Sequence, residues 1–289
     1  MAGSLSKGCV AVLLWASLGL AKPPREPLPK PPVVRRGEAY TFGLRFLGSV
    51  DAGRARLSIS PPSPRDAEPV VRIEAEAEAL GLAKAITGLH EHYQLVLSAQ
   101  TLLPRTIVLH ETGWRVRKAN ISIEGNNVHF AVERPSGRQN YSVLVPQKPL
   151  EPLSVLLLLR ALKLAQGDQI DLVLLDGSSF YEGTMQVVGK EEVTTPIGRH
   201  AAIKIACRGE RITVGGKKLG KPPRFGIVWV SDDSIRLPLR IEGETELGRA
   251  EFVLTSFDRG NTPLPLPKQP EAMTVRPAPP DSADHRPAR

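Results

Sequence analysis

The amino-acid sequence predicts a mainly β protein: an antiparallel β-barrel or half-barrel of about a dozen strands, with a buried central helix and one shorter helix or turn. Three observations carry that prediction. Segment after segment alternates apolar and polar residues with period two, as a strand with one buried face must. Turn residues recur between these segments, and Gly125-Asn126-Asn127 and Asp176-Gly177 are hairpin signals. Between two runs of strands lies LEPLSVLLLLRALKLAQGD, residues 150–168, apolar on nearly every helical face. A helix of that kind must be covered by other structure or by lipid.

Taken in order, residues 1–21 have the form of a secretory signal peptide. Lys7 supplies the positive region, residues 9–20 are apolar, and Gly19-Leu20-Ala21 offers small residues for cleavage at Ala21. Residues 22–36 carry prolines at 23, 24, 27, 29, 31 and 32 among lysines and arginines, and read as an extended, solvated linker. The β domain is expected over 37–258. Tyr40, Phe42, Leu44 and Phe46 alternate with polar or small residues, as do Ala55, Leu57 and Ile59, and then Val71, Ile73, Ala75 and Ala77. Three such segments in a row predict an antiparallel meander. Residues 82–89, between two glycines, read as a short helix or turn. Strands are expected at 93–98, 106–111, 116–123, 128–133 and 139–145. The leucine-rich helix follows, with Pro152 suited to its first turn and Lys163 and Gly167 to its end. Strands resume at 170–174, 180–188, 192–195 and 201–207. After a basic loop at 215–223 they continue at 225–230, 235–241 and 250–256. Residues 259–289 return to proline and charge without periodicity and read as a disordered tail.

Composition narrows the partners. The formal net charge is +8, but the basic residues are scattered and form no arginine-rich helix, so no nucleic acid is expected. A positive surface facing anionic cell-envelope polymers or lipid headgroups fits better. Glu151 and Arg160 interrupt the central apolar run, which falls short of the ~18 residues of a membrane span. No transmembrane span is therefore expected once the leader is removed. Cys207 would then be the sole cysteine, which excludes an intramolecular disulfide.

Five local patterns occur in one order. They are Gly37-Glu38; Ala52-Gly53; Pro152-Leu153-Ser154 through Leu159-Arg160-Ala161-Leu162 to Gly167-Asp168; Thr195-Pro196 with Gly198; and Trp229-Val230-Ser231-Asp232-Asp233 leading to Arg236-Leu237-Pro238-Leu239. Over about 37–256 the chain thereby resembles the bacterial exported family catalogued as domain of unknown function 3108. The resemblance implies a bacterial protein, a periplasmic or secreted location and a β-barrel-like fold. It implies no activity.

Chemistry-bearing residues are sparse. His90 and His92, two apart on a strand, could reach one metal ion if His110 or Glu111 completed the set. Asp232, Asp233 and Arg236 read as a structural turn, with Asp232 or Asp233 accepting backbone N–H groups and Arg236 clamping the carboxylate. Cys207 reads as a packed, inert thiol. No cofactor is implied. Tyr40, Phe42, Leu44 and Phe46, with Leu153 to Leu164, are expected to fill the core, as side chains do in small barrels; the alternative is that Tyr40, Phe42, Leu44 and Phe46 line a cavity for an apolar ligand. The leading expectation is a non-enzymatic envelope protein that binds an apolar or envelope-derived ligand, or an envelope protein. The alternatives are a metal-assisted hydrolase built on His90 and His92, and a structural adaptor contacting anionic envelope polymers.

Overall fold

A computed structural model describes residues 34–46, 50–60, 68–245, 248–264 and 272–277. The signal peptide with its Ala21 site, linker residues 22–33 and tail residues 278–289 lie outside the described residues. The first half of the chain runs β1 (Val34–Phe46), β2 (Val50–Ser60), β3 (Val70–Ala79), α1 (Gly81–Thr87), β4 (His90–Ser98), β5 (Pro104–Thr112), β6 (Arg117–Glu124), β7 (Asn127–Arg134) and β8 (Gly137–Leu144). The second runs α2 (Pro152–Ala161), β9 (Gln169–Asp176), β10 (Ser179–Thr195), β11 (Gly198–Ile212), β12 (Arg224–Ser231), β13 (Pro238–Thr245), β14 (Gly248–Leu264) and β15 (Thr274–Arg276).

All fifteen strands join one sheet, in the order β15-β9-β10-β11-β12-β13-β14-β1-β2-β3-β4-β5-β6-β7-β8. From β1 the chain meanders outward to β8. Helix α2 then carries it to β9, and a second meander returns to β14, which pairs with β1 from Phe46↔Ala250 to Val34↔Leu264. The outermost strands, β8 and β15, are not neighbours. The sheet is therefore a half-barrel and not a closed barrel, and it has fifteen strands where the turn spacing suggested about a dozen.

Antiparallel register turns the period-two patterns into continuous inner rows. Tyr40 stands opposite Leu57, Leu57 opposite Ala75, and Ala75 opposite Tyr93. The row continues through Leu109, Ala119 and Val132. Tyr40 and Phe42 of β1 pack in a separate cluster with Leu237, Leu239 and Leu254, while from Leu57 onward these inner faces, those of β9–β12 and helix α2 share one buried core. Val155, Leu157, Leu158 and Leu159 of α2 are all buried in it. Each fully buried leucine contributes about 1.5–3 kcal/mol.

Both ends of α2 are held by buried polar groups. Glu151 is the N-cap, and its Oε2 accepts from the N–H groups of Leu153 (2.9 Å) and Ser154 (3.1 Å). The Ser154 hydroxyl oxygen in turn accepts from the Glu151 N–H at 2.9 Å. This is a capping box with carboxylate and hydroxyl exchanged relative to the usual order. At the other end Arg160 Nη1 donates to Glu38 Oε2 and to the Tyr40 hydroxyl oxygen, both at 2.6 Å. Its Nε donates to the Ile235 carbonyl at 3.0 Å. Arg160 and Glu38 side chains are each 1 % exposed.

Several boundaries differ from the sequence reading. Helix α2 ends at Ala161, because Leu162 turns to extended backbone (φ −82°, ψ 145°) and remains buried. Strand β1 begins at Val34, three residues inside the expected linker, because it follows β14 out to Leu264. The expected tail supplies the end of β14 and all of β15. Thr274–Arg276 pairs with β9, whose backbone would otherwise form a bare edge, and Ala272 and Met273 beside it are buried. The segments expected at 180–188 and 192–195 form one strand, β10, whose register shifts between Val187 and Gly189. Conversely, residues 232–237 are irregular and β13 starts only at Pro238.

Replacing Arg160 by Met strands the Glu38 carboxylate in the core, and the expected loss is ~3–5 kcal/mol of unfolding free energy. Adding Glu38→Leu to Arg160→Met removes the stranded charge and should recover most of it. Denaturant unfolding of both variants measures this. Equal stability of the single and double variants would show that the carboxylate is not what makes the single change costly.

Candidate ligand cavity

The half-barrel is not filled. A cavity of about 510 Å³ lies between β1–β3, helix α2 and the inner faces of β9–β14. Alternation along each strand explains its lining: Ala55 and Leu57, Ile73 and Ala75, Leu172 and Leu174, Ile241 and Gly243 are residue pairs two apart, facing the same way. Helix α2 contributes Leu153, Leu156, Leu157 and Arg160.

Small residues at facing register positions leave the space. Gly183 of β10 stands opposite Gly209 of β11, and Gly226 of β12 opposite Gly243 of β13. All four line the cavity. A Cβ on Gly243 would meet nothing within 4 Å, and one on Gly209 would come no closer than 3.7 Å to any atom. Neither glycine carries a positive φ. The backbone does not require glycine at these two positions, so their smallness serves the cavity.

The cavity is apolar inside and polar at one end. Asp176, Arg224, Phe225 and Glu244 line that end and are all exposed. Arg224 lies 3.6 Å from Asp176 and places its guanidinium 5.3 Å from the centre of the Tyr181 ring. At the deep end, Arg160 presents a charge already matched by Glu38. Burial opposes that charge, but the neighbouring Tyr40 and Glu38 more than offset it and hold the guanidinium pKa above its usual value. Burial also keeps the Tyr40 phenol protonated. The Cys207 thiol, with burial as the sole cause, is pushed up to about 12. It is therefore a poor nucleophile.

A second polar group sits at the α2 N-terminus. Burial pushes the Glu151 carboxyl up to about 7, against the Leu153 and Ser154 N–H groups and the Tyr93 hydroxyl, which favour its charged form. Burial, then the nearby Glu111, likewise raises Glu91. Arg117 lies 3.1 Å from Glu111.

The residues singled out in the sequence are dispersed. Tyr40 and Phe42 line the cavity; Leu44 and Phe46, farther along β1, do not. His90 and His92 stand on the outer face of β4. His90 Nε2 lies 2.8 Å from Glu76 Oε1, and His92 Nε2 lies 3.2 Å from Gln94 Nε2. His110 faces His92 across the β4–β5 pair, but strand alternation turns Glu111 to the opposite face, so it cannot join them. Among the described residues no three His, Cys, Asp or Glu side chains are grouped to hold a metal ion. Asp233 Oδ1 accepts from the N–H groups of Ile235 (2.8 Å) and Arg236 (2.9 Å) and from the Ser231 hydroxyl (2.9 Å). Asp232 pairs with Lys190 at 2.5 Å. Arg236 is no clamp: its backbone is left-handed (φ 53°) and its Nη1 is buried without a hydrogen-bond partner.

Sequence reasoning missed the Glu38–Tyr40–Arg160 and Tyr93–Glu151 contacts, which join residues far apart in the chain. It also passed over the glycines. Their signal was available: Gly183, Gly209, Gly226 and Gly243 each interrupt a strand at an inward position.

A family model described as a protein of unknown function, DUF3108, matches residues 39–255. No curated protein matches. Solved structures with a similar course are distant in sequence. The β-barrel-like protein of domain of unknown function DUF1849 from Brucella abortus is 9% identical, with 79% of this chain and 100% of that one covered and a TM-score of 0.48. A Bacteroides fragilis protein, provisionally described as exported and with a YmcC-like fold, is 8% identical over 78% of this chain and 97% of that one, at a TM-score of 0.35. The hypothetical protein CT021 of Chlamydia trachomatis is 10% identical over 81% and 93% of the two chains, also at 0.35.

The buried Glu151 carboxyl makes stability depend on pH. Its folded pKa, about 7, lies above the ordinary 4.5, so the folded state holds the proton more tightly than the unfolded chain. The associated stability is present in full below 4.5 and is lost as pH rises through about 7. Glu151→Gln cannot ionise. The unfolding free energy of the unaltered chain, relative to that variant, should fall by roughly 3 kcal/mol across this window. Parallel pH profiles for the two proteins would contradict the assignment.

Proposed function

The chain belongs to the DUF3108 family of proteins of unknown function, and from that premise we propose that it is an exported, non-enzymatic binding protein whose half-barrel holds an apolar ligand. One observation carries the reading: an apolar cavity of about 510 Å³, kept open by glycines that the backbone does not need. Its volume is within the ~300–1,000 Å³ range of small-molecule sites. The ligand would lie along α2 with its apolar body against Leu57, Leu156 and Val228. Any polar group it carries would face Asp176 and Arg224, where water and charge are available. The leader-like residues 1–21 support export into the bacterial periplasm or beyond. The deep end offers a neutralised ion pair, and the thiol elsewhere in the lining has a high pKa, an environment suited to holding a molecule and poorly suited to attacking one.

Gly243→Phe tests the reading by filling the cavity from a position where a side chain has room. The unaltered protein should enhance the fluorescence of the apolar probe N-phenyl-1-naphthylamine. The variant should bind it at least about tenfold more weakly, since the aromatic ring takes the volume the probe needs. Its unfolding midpoint should not fall, because replacing a strand glycine recovers ~0.5–1 kcal/mol. Equal probe binding by the two proteins, or none by either, would count against the cavity as a binding site.

A further inference from the structure

We propose that helix α1 and the β5–β6 turn together form a docking surface for an anionic lipid bilayer. This inference stands independently of what the cavity holds. Helix α1 has no buried residue. Leu82 and Ile86, one turn apart on the same side, are 72% and 71% exposed. Beside them on the β5–β6 turn, Trp114 and Val116 are each 48% exposed, and Leu80 is 38% exposed at the helix entry. These five are drawn from thirteen exposed large hydrophobic residues in the whole described chain. Their concentration on two short turns marks an interaction site, since scattered exposure is the ordinary case.

The two turns are fastened into one platform. The Trp114 N–H donates to the Thr87 carbonyl at 2.7 Å. Gly113 passes so close to Gly88 that a Cβ on it would stand 2.5 Å from the Gly88 carbonyl oxygen. The apolar side chains are thus presented by a rigid backbone and not by a loose loop.

The chemistry around the patch selects the partner. Residues 80–89 and 113–116 contain Lys84 and Arg115 and no acidic residue. Arg115 lies 4.9 Å from the centre of the Trp114 ring. Leucine and isoleucine to enter the acyl region, tryptophan at headgroup depth and flanking cations for anionic headgroups make up an interfacial membrane anchor. The same rim of the sheet carries the β9–β10 turn and the β11–β12 loop. That loop adds Lys217 and Lys221, beside Lys218, whose charge is paired with Glu210 at 2.7 Å. The neighbouring Arg117 reaches the β9–β10 turn: its Nη1 lies 3.2 Å from where a Gly177 Cβ would stand. The patch therefore adjoins the polar end of the cavity, where Asp176 lies.

Flotation of the full chain with phosphatidylethanolamine–phosphatidylglycerol vesicles, against phosphatidylcholine vesicles, tests the proposal. Anionic vesicles should capture roughly tenfold more protein at low salt, with the excess lost at high salt. The variant carrying Leu82→Ser and Ile86→Ser should lose about tenfold of that binding, with an unchanged unfolding midpoint because both side chains are exposed. The two proteins share every amino-terminal residue, so the ratio is specific to the patch. Tryptophan emission should shift to the blue on anionic vesicles, and Trp114→Phe should reduce the shift to what Trp15 of the shared leader contributes. Gly243→Phe should still float, which separates this surface from the cavity. Equal flotation of the serine variant, or no capture of the unaltered chain, would overturn the proposal. So would a concentration-dependent dimer that the serine variant lacks, without vesicle binding, since the patch would then serve a second copy of the chain.

Discussion

A guanidinium buried at the heart of a β-sheet protein is the constraint on which this fold depends. Arg160 is 1% exposed, and its charge is met by Glu38 and Tyr40 from β1 and by the Ile235 carbonyl. An unpaired charge at such a site would cost far more than the helix gains from any single leucine. The contact therefore fixes the rotation and depth of α2 relative to β1 in a way that interchangeable leucines cannot. Because β1 is also the strand that joins the two meanders, orienting α2 against it orients the helix against both halves of the sheet. Glu151 performs the complementary task at the other end, sealing the first-turn N–H groups inside the protein and meeting Tyr93 of β4.

With α2 held at both ends, the unfilled volume has a definite origin. The helix spans ten residues, about 15 Å. It covers the larger inward residues of β3–β7, and across the cavity the β10–β13 wall sets four glycines among side chains such as Met185, Val228 and Ile241. An ordinary core would close that gap by collapse. Here collapse is resisted from two directions. The Arg160 contact keeps the helix from sliding toward β12. The long β1–β14 pairing keeps the two meanders from folding down on each other. The cavity is a consequence of clamped polar ends and small inward residues acting together.

The architecture was legible in the sequence because it rests on local signals. Alternating residues such as Tyr40 to Phe46 define strands whatever they pair with, and Asp176-Gly177 and Gly125-Asn126 turn hairpins with the help of positive φ at the glycines. The leucines of α2 announced a buried helix. Pairing partners were less legible. Nothing periodic marks Thr274–Arg276, whose order comes from the backbone edge that β9 offers it. The end of α2 misled because Leu162 is as apolar as the residues before it and stays buried after leaving the helix. The site was the least legible part. Glu38 and Arg160 are 122 residues apart, and an isolated glutamate or arginine looks like a surface residue until its partner is known. The inward position of each glycine in β10–β13 was visible from the alternation of its own strand, but that Gly183 meets Gly209 and Gly226 meets Gly243 depends on register, which the sequence does not give.

The segment read as a structural turn takes on a larger meaning once the cavity is seen. Ser231 and Asp233 fold residues 231–237 back on themselves, with Leu237 N–H donating to the Ser231 hydroxyl oxygen at 2.7 Å. That fold exposes the Ile235 carbonyl to the interior, where Arg160 Nε donates to it. Arg236, next in sequence, adopts a left-handed backbone that few non-glycine residues accept. The turn thus lies over the end of the cavity where Arg160 sits, and it is tied to the helix by a hydrogen bond from a charged group, the stronger class of such bonds. The opposite end has no comparable cover among its lining residues, only the exposed side chains of Asp176, Arg224, Phe225 and Glu244. A half-barrel with one end stoppered and the other lined by charge and an aromatic ring has a direction. Under the proposed binding function, a molecule entering apolar end first would come to rest with its polar end at the rim that carries Trp114.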